Sequence, residues 1–162
     1  MGEARKTLLL VEDEQNDRFL FSIAISAQDS FSLQTVPDGQ QAINYLEGVG
    51  VFADRLRYPL PGIIVLDLKM PNLDGFGFLA WRGSSQFLSV PVVVLEGSGN
   101  VDDQRRVQEM GALLTYTKPC GLERLHKIVE EICGLVVLIP QQETPQAERR
   151  FVNFPLGRKP PC

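Results

Sequence analysis

Five short strand-like segments recur along the chain, at 7–11, 31–36, 63–66, 90–95 and 113–117, the second by its alternation. Leu8-Leu9-Leu10-Val11, Ile63-Ile64-Val65-Leu66 and Pro91-Val92-Val93-Val94-Leu95 contain no polar side chain at all. Uninterrupted apolar runs of this length suit strands buried on both faces, as in a parallel sheet. Between the runs, apolar residues recur three and four positions apart, the spacing of a helix with one buried face. Strand and helix alternating five times dictate an α/β fold, with helices on both faces of a parallel sheet and right-handed crossovers.

The spacing predicts helices over 17–27, 39–47, 75–81, 101–110 and 122–133. In the first, Phe19, Leu20, Ile23 and Ala27 form the inward stripe. Phe21 and Ile25 then remain as a second i, i+4 pair, part of it available as a docking surface. Asp38 is placed to cap the second helix, whose Ala42, Ile43 and Leu46 face inward. The fourth is polar and reaches the core through Val107 and Met110. The last buries Leu122, Leu125, Ile128, Val129 and Ile132. The connection 48–62 is longer than usual.

At 162 residues the chain divides into one domain, 1–134, and an extension, 135–162. A net charge of −4 argues against nucleic acid as a partner. No apolar stretch approaches the ~20 residues of a membrane span, and 8–11 is too short for the core of a secretory signal. Three cysteines without CxxC spacing fit a reduced, cytoplasmic protein. His126, the single histidine, leaves no set of zinc ligands and reads as a surface residue. The extension is too short to fold a DNA-binding module. Its apolar Leu135-Val136-Val137-Leu138-Ile139 would be costly to expose, so it packs on its own domain or across a dimer. The remainder, 141–162, is polar and proline-rich, an extended arm or tail.

The chemistry gathers at strand ends. Asp67 follows the run 63–66, Glu12 and Asp13 follow 8–11, and Lys118-Pro119 follows 113–117. The carboxyl ends of strands are where open α/β sheets bind ligands. Three carboxylates brought together repel, and need either a cation or raised pKa values. Hard oxygen donors suit Mg²⁺. With a lysine beside them, the set is built to receive a phosphoryl group: one carboxylate attacks, while metal and ammonium neutralise the transferred oxygens. Gly97-Ser98-Gly99 lacks a P-loop lysine and is not a phosphate cradle.

These pieces resemble the response regulator receiver domain of two-component signalling. The resemblance rests on Leu9-Leu10-Val11-Glu12-Asp13-Glu14, Asp38-Gly39, Leu66-Asp67-Leu68-Lys69-Met70-Pro71 with Asp74-Gly75, Pro91-Val92-Val93-Val94-Leu95, Gly111-Ala112 and Lys118-Pro119, and spans roughly 6–134. It implies a flavodoxin-like (βα)5 three-layer sandwich with strand order 2-1-3-4-5. By position, Asp67 resembles the phosphoacceptor and Glu12 and Asp13 the metal-binding acids. Lys69 would lend the metal a backbone carbonyl, and Lys118 would pair with the phosphoryl group. The Lys118–Pro119 bond is expected to be cis, which proline permits at modest cost. The implied partner is a sensor histidine kinase or histidine-phosphotransfer protein. The connection 48–62 and the run 135–139 narrow the resemblance to short single-domain regulators that partner bacterial phytochrome kinases and tend to form homodimers.

Two positions depart from the family. Glu96 stands where receivers carry Thr or Ser after the fourth strand. If turned inward, its carboxylate faces a group bearing roughly two negative charges. One charge pair at 4 Å is worth about 4 kcal/mol at an effective dielectric of 20. Glu96 could instead turn out or pair with Lys118, and Ser98 could supply the missing hydroxyl. Thr115 stands where the family places its switch aromatic; Tyr116, one residue on, faces the other side of a strand. An altered output switch follows, or, as the alternative, a phosphorylation-insensitive module for protein interaction and dimerisation. An aspartyl phosphatase fits poorly, because Lys69 stands where such enzymes carry a second Asp. A flavin carrier would need a phosphate loop that this sequence lacks.

Overall fold

The computed structural model describes residues 4–138. Along the chain run β1 (Lys6–Val11), α1 (Gln15–Ile25), β2 (Phe31–Val36), α2 (Gly39–Glu47), a 3-10 turn (Gly50–Ala53), β3 (Ile63–Leu66), α3 (Gly75–Gly83), β4 (Val92–Glu96), α4 (Val101–Glu109), β5 (Leu114–Thr117) and α5 (Leu122–Leu138). The strands form one sheet in the order β2-β1-β3-β4-β5, every neighbouring pair parallel. This is the flavodoxin-like sandwich that the sequence led us to expect.

Side chains alternate across a strand, so each apolar run feeds two cores at once. Leu9, Val11, Ile64, Leu66, Val92 and Val94 pack with α2, α3 and α4 on one face. Leu8, Leu10, Ile63, Val65, Val93 and Leu95 pack with α1 and α5 on the other. The central strands therefore carry unbroken apolar runs, and a polar side chain just past such a run lies at the sheet's carboxyl edge.

Helix α1 is rotated from the expected phase. Phe21 and Ile25, expected as surplus, are buried, while Phe19, expected inside, is 61% exposed. Ala27 is exposed, and Leu20 and Ile23 are half-buried. Apolar residues lie all round this helix, so their spacing leaves its phase open. Polar contacts at its first turn settle it. Arg18 donates to the carbonyls of Glu12 (2.7 Å) and Asp13 (2.8 Å), and Asp17 accepts from Lys118 (2.8 Å). Residues 17, 21 and 24/25 share one stripe, so fixing Asp17 toward Lys118 turns Phe21 inward.

Helix α5 runs beyond the expected end at residue 133, to Leu138, and so crosses the expected domain boundary. Val136 is fully buried against the domain, while Val137 and Leu138 are exposed; Ile139 and the tail at 141–162 lie outside the described residues. Leu122, expected inside, is 37% exposed in the first turn.

The long connection after α2 is ordered by aromatic packing. Tyr45, Phe52 and Tyr58 meet with ring centroids 5.2–6.0 Å apart. Arg55 donates to the carbonyls of Tyr45 (2.7 Å) and Leu46 (2.6 Å), satisfying the end of α2. At the other end of α2, Asp38 accepts from the Gln41 N–H at 2.8 Å, the cap that the sequence predicts.

Candidate functional site

The strand ladders continue one step past β1 and β3. The Asp67 N–H donates to the Val11 carbonyl at 3.0 Å, and the Glu12 N–H to the Val36 carbonyl at 3.0 Å. This sets Asp67 beside Glu12 and Asp13, between β1 and β3, where the strand order reverses and open sheets form their crevice. One carboxylate oxygen from each of Glu12, Asp13 and Asp67 lies within 4.8 Å of the others. Glu12 and Asp67 are buried; Asp13 is half-buried.

Each acid is held from its own loop. Glu12 accepts from the Glu14 N–H at 3.1 Å, and Asp67 from the Leu68 N–H at 2.8 Å. Gly75 closes the loop after Asp67. A Cβ there would lie 2.5 Å from the Asp67 carbonyl oxygen and 2.8 Å from the Leu68 Cα, so only glycine fits without moving backbone. Gly39 makes a similar approach to the Leu73 carbonyl. Asn72 adopts a left-handed φ of 62° and donates to Asp38 at 2.9 Å, tying this loop to the start of α2.

Lys118 enters from the end of β5, its N–H continuing the ladder to the Glu96 carbonyl at 2.7 Å. Its ammonium lies 2.6 Å from Glu12, 2.8 Å from Asp17 and 3.6 Å from Asp67. The Lys118–Pro119 bond is trans, against the expected cis form. An X–Pro bond prefers trans by about 0.5–1 kcal/mol unless its surroundings demand otherwise.

The electrostatics follow from crowding. Burial pushes the Glu12 carboxyl up to about 7, and the nearby Asp67 charge adds to this, against the opposing pull of Lys118 and the Glu14 N–H. Burial also raises Asp67, with Asp13 adding, while Lys118 and the Leu68 N–H oppose. For Lys118, burial alone would lower the pKa. Hydrogen bonds to Asp17 and Glu12, with the charges of Glu12 and Asp67, outweigh burial and hold it above the usual lysine range. Three crowded oxygen donors, with the Glu12 and Asp67 carboxyls raised by burial, fit a small hard dication such as Mg²⁺, which would favour the ionised forms of those two. The Lys69 side chain is exposed.

Glu96 resolves the three placements left open by the sequence. It is buried, yet it pairs with neither Lys118 nor solvent. Its carboxylate accepts from the Ser98 N–H (2.6 Å), the Ser98 hydroxyl (2.7 Å) and the Gly99 N–H (2.9 Å). Burial pulls its pKa up, but these bonds and one from Gln104 prevail and hold it below the usual carboxylate range. The Ser98 hydroxyl is thus engaged by Glu96 and does not stand in for the missing threonine. On β5, Thr115 pairs in register with Val94 and its buried hydroxyl has no partner. Tyr116 faces the opposite layer and donates to Glu131 of α5 at 2.9 Å.

Residues 8–130 match the family model of the response regulator receiver domain. The chain belongs to this family. Response regulator Rcp1 of Synechocystis sp. is 33% identical over 129 residues, covering 78% of this chain and 86% of the relative. Among solved structures, the phosphorylated cyanobacterial phytochrome response regulator RcpA superposes with a TM-score of 0.75 at 33% identity, covering 83% of this receiver and 95% of that chain. A Mn²⁺-bound form of Rcp1 gives 0.71 at 30% identity, covering 86% and 99%. Receivers bind Mg²⁺ or Mn²⁺ at an acidic site, and the cluster of Glu12, Asp13 and Asp67 fits that property.

Sequence reasoning missed two residues of this receiver's site. Asp17 and Arg18 fall inside the helix expected over 17–27, where the sequence assigns them no role in the site. The clue was their position, four to six residues after the acids, where the first turn of α1 returns over the loop.

Proposed function

We propose that this receiver takes a phosphoryl group onto Asp67 from the phosphohistidine of a sensor histidine kinase or histidine-phosphotransfer protein. The observation that carries this reading is the Asp67 carboxylate, buried beside Glu12 and Asp13, with the Lys118 ammonium 3.6 Å away. One Asp67 oxygen attacks phosphorus; an O–P bond forms as the P–N bond breaks, and its electron pair leaves on the imidazole nitrogen. Mg²⁺ held by Glu12, Asp13, Asp67 and the Lys69 carbonyl would supply positive charge to the transferred oxygens. Lys118 contributes a second cation to the same oxygens. The Leu68 N–H orients the acceptor carboxylate, and Arg18 fixes the loop carrying Glu12 and Asp13.

The relatives support a phytochrome-type kinase as the donor. Phe19, exposed on α1, offers an apolar contact for it. Val137 and Leu138, exposed at the end of α5, favour a homodimer. The setting is cytoplasmic, and the protein turns over no external substrate. A second reading, an interaction module insensitive to phosphorylation, draws on Glu96: the Ser98 hydroxyl and the Ser98 and Gly99 N–H groups already serve its carboxylate.

The two readings part on one experiment. The full chain is incubated with a small acyl phosphate and Mg²⁺, and its intact mass is recorded. A single phosphoryl adduct, absent in Asp67→Ala, is the expected result. No adduct in the natural chain or in Glu96→Thr would replace the acceptor reading with the interaction module.

A further inference from the structure

The Lys118 ammonium has three N–H donors, and the structure directs them mainly away from the acceptor. Glu12 and Asp17 lie at 2.6 Å and 2.8 Å, but Asp67 only at 3.6 Å, beyond a good hydrogen bond. Glu12 is a member of the acid cluster and Asp17 is not. A divalent cation taken up by Glu12, Asp13 and Asp67 weakens the hold of Glu12 and Asp67 on Lys118. It leaves Asp17 as the anion competing for the lysine. Asp17 sits on the first turn of α1, whose phase is locked by the burial of Phe21 one turn on and by Arg18 on the loop carbonyls. It is thus a fixed anchor. The Lys118 side chain has space to move: a cavity of about 210 Å³ lies beside it, lined by Asp17, Leu10, Leu20, Phe21, Leu95 and Leu125 among others.

We propose that Asp17 is a positioning residue that tethers the Lys118 ammonium on the α1 side of the site, in competition with a phosphoryl group at Asp67. The proposal rests on the acceptor reading above. Lys118 has two stations, one shared with Asp17 and one at the phosphoryl oxygens, and Asp17 sets the balance between them. It touches neither the reacting atoms nor the metal ligands; it acts through the lysine.

The test uses the full chain in saturating Mg²⁺, titrated with beryllofluoride as a non-covalent phosphoryl mimic. Asp17→Asn should tighten binding about two- to five-fold, the size expected of a partly exposed ion pair. Asp17→Glu, which keeps the charge and can still reach the lysine, should stay near the natural affinity. Asp17→Asn also removes a negative charge from the site's field, so the same substitution is made alongside Lys118→Gln. If the effect runs through the lysine, Asp17→Asn changes affinity by less than about half as much there. An equal gain with and without Lys118, or no gain in the natural background, overturns the tether. If neither the natural chain nor Asp17→Asn binds the mimic, the acceptor reading falls and the tether with it. Binding by the natural chain with no response to Asp17→Asn removes the tether alone.

Discussion

Replacing Phe21 with alanine tests the phase of α1, on which the placement of Asp17 depends. Phe21 is 1% exposed and belongs to the core layer that holds Leu10, Ile25, Leu125 and Val129. Truncating a buried phenylalanine removes its transfer free energy and leaves a cavity, at a cost of about 3–5 kcal/mol. The site collapses poorly, because Phe21 already borders the cavity beside Lys118. Against a total stability of about 5–15 kcal/mol, this is a large fraction. With a urea dependence of about 1.5 kcal/mol per molar, the unfolding midpoint should fall by roughly 2–3 M. Phe19→Ala is the paired control. Its ring is 61% exposed, and its loss should shift the midpoint by less than about 0.3 M. If Phe21→Ala does not fold, Phe21→Leu keeps most of the apolar volume and should cost about 1 kcal/mol. Equilibrium urea unfolding followed by far-UV circular dichroism measures all three. A larger loss from Phe19→Ala than from Phe21→Ala would return α1 to the phase expected from sequence and remove Asp17 from Lys118.

Three further outcomes follow from the site and the core. Glu12, raised to about 7, must lose its proton to bind a cation, so the apparent Mn²⁺ affinity should rise about ten-fold from pH 6 to pH 8; a calorimetric titration showing no pH dependence would contradict this. Gly75→Ala places a Cβ 2.5 Å from the Asp67 carbonyl oxygen. Stability should fall by about 1–3 kcal/mol as the loop after Asp67 shifts, and thermal unfolding measures the loss. Burial raises the Cys133 thiol to about 11, so it stays neutral and protected at pH 8–9 while exposed Cys120 is alkylated; peptide mapping after a brief iodoacetamide pulse that found equal labelling would refute it.

Much of this receiver was legible in one dimension. The apolar runs at 8–11, 63–66 and 91–95 announced strands buried on both faces, and every strand formed in its expected place to within two residues. Asp67, Glu12, Asp13 and Lys118 were visible because each follows directly on the end of a strand, at a place fixed along the chain. A parallel sheet brings all its carboxyl ends to one edge, so linear position alone was enough to gather them.

Only the tertiary structure decided what depends on rotation and on contacts distant in sequence. The phase of α1 was ambiguous because apolar side chains surround the helix. It was settled by Asp17 meeting Lys118, 101 residues away, and by Arg18 meeting two loop carbonyls. Glu96 could have faced Asp67, solvent or the lysine. Its direction was fixed by N–H groups of the turn at Ser98 and Gly99, whose geometry no residue type reveals. The sequence thus determined which groups share the crevice, because strand order and polarity are written locally. The fold decided which of them touch, because hydrogen-bond partners and helix rotation are properties of the packed whole.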